Sequence, residues 1–144
     1  MSAKENKALI RRYFEAIDRP NAAADILDEF LDSDVVTHNP PPGVTPDLEG
    51  LKKQFVVFQK STPGYHTVDD LIAEGDKVAA RITGYGTHEG ELFGIPRTGK
   101  EIRLSGIVVW RIKRGKIVEH WAQNDMLDLL HQLGVLPPMG KPPK

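Results

Sequence analysis

The fold is decided by residues 101–134, which read EIRLSGIVVWRIKRGKIVEHWAQNDMLDLLHQLG. Two segments of alternating apolar residues, 101–112 and 116–123, flank a turn at 114–115, and this arrangement predicts a β-hairpin. Asp125 then begins a helical pattern that ends at the final glycine of the segment. A hairpin followed by a one-sided helix is typical of an antiparallel sheet with helices packed on it.

Upstream of the hairpin, three patterns predict helices with one apolar face each. Ser2 and Glu5 form a capping box for a first helix, which Pro20 ends. Asn21 can cap a second, shorter helix, and Asp47 can cap a third. Because each helix is apolar on one side only, we expect all three to cover a sheet.

The remaining segments are short strands and loops rich in glycine or proline. Prolines exclude helix and central strand from the loop NPPPGVTP, whereas alternating apolar residues predict strands elsewhere. This order predicts an α+β fold in which a twisted antiparallel sheet and helices on one side enclose a ligand cavity; nothing indicates a parallel sheet. The predicted strands are 35–38, 65–73 and 77–87, and the predicted loops are 39–46 and 90–100.

Composition and charge narrow the function. The 144 residues carry 19 Lys and Arg against 20 Asp and Glu, so the formal net charge of -1 gives no basic surface for nucleic acid or for a membrane. The absence of cysteine excludes thiol nucleophiles, thiolate zinc sites and iron–sulfur clusters. The sequence shows neither an apolar run of about 20 residues nor a secretory leader pattern, so we expect a cytoplasmic protein.

Length and motifs limit the organisation and the chemistry further. One domain over 1–136 with a proline-rich tail at 137–144 suits a chain of this size. The sequence contains no GxxxxGK[ST] phosphate loop, no GxGxxG after a strand, no GxSxG elbow and no HExxH helix. Polar catalysis is left to histidines and carboxylates, so we expect acid–base chemistry without a metal or another cofactor.

The hairpin supplies the first candidate site. A tight turn at 114–115 predicts that Trp110 lies opposite Glu119 and that Val108 lies opposite Trp121. One face would then carry both indoles with the carboxylates of Glu119 and Asp125. An apolar wall raises the pKa of a carboxyl group and makes it a usable base. The alternatives are that Asp125 only caps the last helix and that both tryptophans are core residues.

Two histidines and an arginine are further candidates. His38, held by the proline loop, is either an acid–base group at a cavity mouth or an ordinary surface histidine. His120 has a similar claim, but alternation directs it away from Trp121. Arg81, inside an apolar strand, is either a snorkelling edge residue or a positive group in the cavity. The predicted catalytic pair is Asp125 and His38, and the predicted substrate-binding residues are Trp121, Trp110, Glu119, Arg81, Phe58 and Tyr13.

Four stretches give the chain a resemblance to a known family. They read KALIRRYFEAI, VVTHNPP, AARITGYGTHEGELFGIPRTGK and IVVWRIKRGKIVEHWAQNDMLDLLHQLG, and they cover nearly everything up to Gly134. In these stretches the chain resembles the SnoaL-like polyketide cyclases, also called ester cyclases, of the nuclear transport factor 2-like superfamily. The resemblance implies a cone-shaped α+β barrel, in which a curved antiparallel sheet and three to four helices surround a pocket.

The resemblance also implies an activity. In the family, cofactor-free intramolecular aldol cyclisation begins when a C–H between two carbonyls of a hydrophobic polyketide ester loses its proton. Asp125 matches the position of the family's aspartate base, and His38 and Trp121 match positions that often line the pocket. One aspartate and one oxyanion donor can suffice for so acidic a C–H.

Other functions stay open because the superfamily hosts isomerases, dehydratases, epoxide hydrolases and binding proteins on one fold. The alternatives are a non-catalytic small-molecule binding protein and a ketosteroid isomerase-like or epoxide hydrolase-like enzyme. Such an epoxide hydrolase is expected to show an Asp-Arg-Asp arrangement, and the sequence indicates no clear carboxylate pair for Arg81.

A sheet with helices on one face also predicts a homodimer, because its other face is bare. Alternation places Val109, Val118 and Ala122 on this face, opposite Trp110 and Trp121. We expect a second copy of the chain to bury these apolar side chains.

Overall fold

The computed structural model describes residues 2–137, which form one five-stranded sheet with helices packed on it. The predicted tail at 137–144 lies outside the described residues apart from Pro137, and the domain boundary stays a prediction. None of the described helices is long and apolar enough to cross a membrane. In chain order the elements are α1 (Ala3–Ile17), a 3-10 helix (Ala24–Glu29), β1 (Leu31–His38), α2 (Leu48–Ser61), β2 (Gly64–Glu74), β3 (Lys77–Thr87), β4 (Glu101–Lys113), β5 (Lys116–Asn124) and α3 (Met126–Gln132).

The strand order of the sheet is β1-β5-β4-β3-β2. The α+β prediction is confirmed, and β2 to β5 pair antiparallel as expected. The expectation that the whole sheet is antiparallel is wrong at one edge, since β1 pairs parallel with β5. The chain passes through α2 and three strands between β1 and β5, so no hairpin turn fixes the direction of β1.

Two of the three helix caps predicted upstream of the hairpin are present in the structure. The Ser2 hydroxyl accepts a hydrogen bond from the Glu5 amide at 3.1 Å, and the Asp47 carboxylate accepts one from the Gly50 amide at 3.0 Å. The prediction that Asn21 caps the second helix is wrong. Asn21 has a φ of 60°, which is unlike the extended backbone of an N-cap, and the 3-10 helix begins only after Ala23.

A β-bulge interrupts the β4–β5 hairpin. Ile112 lies opposite Ile117, as the tight turn predicts. The next pair is Arg111 with Glu119, so Val118 is an extra residue on β5. Because side chains alternate with a period of two, one extra residue reverses the faces of every later side chain relative to the partner strand.

The bulge overturns the predicted face of the hairpin. Trp110 lies opposite His120, and Val109 lies opposite Trp121, so the two indoles are on different faces of the sheet. The prediction that one face carries both tryptophans and the carboxylate of Glu119 is therefore wrong. Ala122, predicted on the bare face, instead packs against the hydrophobic core.

The core lies between one face of the sheet, called the inner face here, and the helices. Trp110 and Val78 on this face are no more than 1% exposed, and Ile10 and Phe14 of α1 pack into the same cluster. A smaller cluster joins α3 to β4 through Leu129 and its apolar neighbours. The opposite, outer face is partly exposed, and its most exposed apolar side chains are Ile72 and Ile107, at 68% and 58%.

Candidate functional site

Three of the predicted site residues form a cluster on the outer face. The rings of His38 and Trp121 stack with centroids 4.7 Å apart and an interplanar angle of 9°. Nε2 of His38 donates to Oε2 of Glu119 at 2.8 Å, and Nε of Arg111 donates to Oε1 of the same carboxylate. The bonds from His38 and then Arg111 lower the pKa of Glu119. The prediction that an apolar environment raises the pKa of Glu119 is therefore wrong.

Arg81 also lies on the outer face, where its side chain is 55% exposed. Nε of Arg81 donates to Oδ2 of Asp70 at 2.9 Å, and its NH1 lies 3.6 Å from Oδ2 of Asp69. The expectation that Arg81 has no carboxylate pair is wrong, because an irregularity in β2 between Val68 and Asp70 brings both aspartates within its reach. The Asp-Arg-Asp group is a surface cluster on the face away from the helices.

Asp125 is exposed and caps α3. Its Oδ1 accepts a hydrogen bond from the Asp128 amide at 3.1 Å. This contact agrees with the alternative that Asp125 caps the last helix. A catalytic role for Asp125 stays a prediction.

Three other predicted residues lie between the helices and the inner face. Trp110 packs edge-on against Phe14, with ring centroids 5.9 Å apart. Tyr13 packs against Phe30, and burial raises the pKa of Tyr13 to about 12, with a smaller contribution from the negative charge of Asp18. Phe58 of α2 joins the smaller apolar cluster beside α3.

Two polar residues that the sequence did not place in the site are in register with Trp110. His120 pairs with Trp110 on β4 and with Thr37 on β1, so the three residues form one row across β1, β5 and β4. Thr37 is 5% exposed and Trp110 is 1% exposed. The Thr37 hydroxyl, Nδ1 of His120 and Nε1 of Trp110 are buried without a hydrogen-bond partner among the described residues. We call Thr37, His120 and Trp110 the inner row.

His120 is neutral at physiological pH. The residue is partly exposed, but burial lowers its pKa to about 4, and the nearby His38 adds a smaller effect in the same direction. A neutral imidazole can accept a proton or share one in a hydrogen bond. The inner row therefore combines one proton acceptor with two hydrogen-bond donors.

The sequence indicated that His120 and Trp121 lie on opposite faces of the sheet, but it predicted the wrong face to be the buried one. Alternation correctly places His120 on the face opposite Trp121. Without the bulge, that face would be the solvent side, and His120 would be a surface residue. The position of Thr37 next to His38 in β1 carries the same alternation, so either side chain could have been the buried one.

Two surface depressions lie near these groups. One, of about 330 Å³, is on the outer face beside Arg111 and Glu119. The other, of about 180 Å³, lies between α1 and β2 and is lined by Phe14, Asp18 and His66 among others. Phe14 lines this second depression and also packs against Trp110, but no residue of the inner row lines either depression. Within residues 2–137, no three His, Asp or Glu side chains are grouped so as to hold a metal ion.

Known proteins are similar to this chain over nearly its whole length. The family model of the SnoaL-like polyketide cyclases matches residues 7–133. The chain is 32% identical over 133 residues to the aklanonic acid methyl ester cyclase DauD of Streptomyces sp. (strain C5), covering 88% of this chain and 80% of DauD. It is 30% identical to the aklanonic acid methyl ester cyclase DnrD of Streptomyces peucetius, with 88% of each chain covered. The structure of TsrD from Streptomyces laurentii is similar, with a TM-score of 0.83, 28% identity and coverage of 94% of this chain and 99% of TsrD.

Proposed function

Because the chain belongs to the SnoaL-like polyketide cyclase family, we propose that it catalyses the cofactor-free intramolecular aldol cyclisation of a hydrophobic, polyketide-like carbonyl ester. The names of its relatives DauD and DnrD support a methyl ester of a polyketide acid as the substrate class. The observation that carries the proposal is the inner row, which places a neutral histidine among apolar side chains on the inner face of the sheet.

In the proposed reaction, Nδ1 of His120 is the proton acceptor. Its low pKa of about 4 makes the imidazole a weak base, similar in strength to an ordinary carboxylate. A base of this strength can deprotonate a carbon flanked by two carbonyls when hydrogen bonds stabilise the enolate that forms. The enolate carbon then attacks a ketone of the same molecule, and the resulting alkoxide takes the proton back from His120.

Asp125 is the competing proton acceptor, because the family resemblance assigns it this role. Its carboxylate is exposed and already accepts a backbone hydrogen bond, whereas Nδ1 of His120 is buried without a partner. We therefore place the base at His120 and give Asp125 the role of a helix cap. His38 is assigned to the outer face, where its imidazole is bound to Glu119.

We also propose that the active form is a homodimer that pairs through the outer face. Cross-strand neighbours Ile72, Ala79, Val109 and Trp121 form a mostly apolar row on this face. Ile107 adds an exposed apolar side chain next to that row. An exposed, mostly apolar sheet face of this kind suits an isologous interface between two copies of the chain. Location in the cytoplasm stays a prediction.

The test uses aklanonic acid methyl ester as the probe substrate, incubated with the purified protein and no added cofactor. We expect a product of the same mass with a different chromatographic retention, since cyclisation rearranges bonds without gain or loss of atoms. His120→Gln is expected to slow conversion by about two orders of magnitude or more. His131→Gln, on α3, is the matched control and is expected to keep wild-type turnover. Binding of the ester without conversion would contradict the proposal and favour the non-catalytic binding alternative.

A further inference from the structure

We propose that His66, held in place by Asp18, binds the hydroxyl group of a small, uncharged phenol in the depression between α1 and β2. The depression has a volume of about 180 Å³. Sites for drug-sized ligands usually have volumes of about 300 Å³ or more, so a ligand with a single ring matches this depression and a multi-ring polyketide does not. No residue of the inner row lines it, so the site is independent of the proposed cyclisation.

Asp18 holds the imidazole of His66 through two hydrogen bonds. Its Oδ1 accepts one from Nδ1 of the ring at 2.7 Å, and its Oδ2 accepts one from the backbone N–H of His66 at 2.8 Å. Because an ionised carboxylate can only accept, Nδ1 carries the proton, and Nε2 of the neutral ring is an acceptor. Nε2 has no hydrogen-bond partner among residues 2–137, and the His66 side chain is 38% exposed. A hydroxyl group of a ligand can therefore donate to Nε2.

The walls of the depression suit an aromatic ring. Phe14 of α1 and Val68 of β2 both line it. The ring centroid of Phe14 lies 5.3 Å from that of His66, with an interplanar angle of 52°. Gly84 on β3 lies opposite His66, and a Cβ at that position would already contact the imidazole at 3.5 Å. The glycine therefore leaves the imidazole room to lie over β3, where it forms an aromatic wall together with Phe14.

The charges around the depression favour a neutral ligand over an anion. Arg11, Glu15 and Asp18 of α1 line it, and no further Lys, Arg, Asp or Glu does so among the described residues. While His66 is neutral, two carboxylates and one guanidinium leave a net negative charge, which disfavours a carboxylate or phosphate ligand. The guanidinium of Arg11 can donate to the phenol oxygen while the phenol donates to Nε2 of His66.

The experiment titrates p-cresol into the ¹⁵N-labelled protein and follows the amide resonances by NMR. The resonances of His66, Val68 and Glu15 are expected to shift with a dissociation constant on the order of 1 mM. 4-Methylanisole has the same ring but cannot donate a hydrogen bond, and it is expected to bind about tenfold more weakly. The anion p-toluate is expected to bind more weakly than p-cresol.

A variant and a pH series test the acceptor directly. His66→Phe keeps an aromatic ring but removes Nε2, and it is expected to weaken p-cresol binding about tenfold, whereas the control His131→Gln should bind like the unaltered protein. Binding to the unaltered protein should also weaken as the pH falls from about 8 to about 5, because a protonated imidazole cannot accept a hydrogen bond. Carboxyl groups ordinarily titrate at lower pH, so Glu15 and Asp18 do not account for this change.

Three results would overturn the proposal. Equal affinities for p-cresol and 4-methylanisole, or unaltered p-cresol binding in His66→Phe, would show that Nε2 is not the acceptor. Tighter binding of p-toluate than of p-cresol would show an anion site instead. Unshifted resonances with about 10 mM p-cresol would exclude a phenol site in this depression. If His66→Phe fails to fold, the comparison of p-cresol with 4-methylanisole on the unaltered protein decides the question.

Discussion

Acidification should destabilise this protein through His120, and the size of the effect can be worked out from the structure. The pKa of His120 falls from 6.5 in an unfolded chain to about 4 in the folded protein. The unfolded chain therefore binds more protons between these two values, and stability must fall as the pH decreases through this window. Between pH 7 and pH 5, the free energy of unfolding should drop by about 2 kcal/mol from this residue alone.

Between pH 7 and pH 5, the titration of His120 can be observed separately from that of the acidic groups. Hydrogen bonds lower the pKa values of Glu119 and Asp69 below their ordinary values of 4.5 and 3.8. A carboxylate with a lowered pKa contributes stability that is present above its unfolded pKa and is lost only as the pH falls below it. Those losses lie below pH 5 for the most part, so they do not obscure the titration of His120.

The assay is urea unfolding followed by tryptophan fluorescence at pH 7, 6 and 5. As the pH falls, the free energy of unfolding of the unaltered protein should decrease more steeply than that of His120→Gln, whatever the absolute stability of the variant. His131→Gln serves as the control, and its slope should equal that of the unaltered protein. Equal slopes for all three proteins would refute the reasoning, because His120 would then titrate alike in the folded and unfolded chains.

Two further predictions concern Asp125 and the outer face. Asp125→Asn should lower stability by only a few tenths of a kcal/mol because Asn caps a helix nearly as well, while Asp125→Ala should cost about 1 kcal/mol in thermal or urea unfolding. Turnover of Asp125→Asn should stay within about tenfold of the unaltered protein, and a loss of about two orders of magnitude at unchanged melting temperature would return the base to Asp125. Ile107→Glu should convert a dimer into a monomer in analytical ultracentrifugation, with Lys4→Glu on α1 as the control. A single-chain mass for the unaltered protein at micromolar concentration would rule out the dimer.

Most helices, strands and turns could be predicted from the amino-acid sequence, because the signals for them act over a few residues. The capping box at Ser2 and Glu5, the cap at Asp47 and the turn at 114–115 each depend on neighbouring side chains and backbone. The predicted cap of the second helix, Asn21, lies two residues before the observed N-cap at Ala23, because a residue type that favours capping also favours a left-handed turn. The family could likewise be identified from contiguous stretches.

Which side chains lie together on each face of the sheet depends on the pairing of the strands, which the sequence alone did not reveal. A single extra residue, Val118, turns Trp121 outward and His120 inward. The parallel pairing of β1 then adds Thr37 to the inner side of the row and His38 to the outer side. Bulges and pairings between distant strands depend on packing across the whole sheet rather than on the local sequence pattern. The alternation of side chains was therefore predicted correctly, but the face that is buried was not.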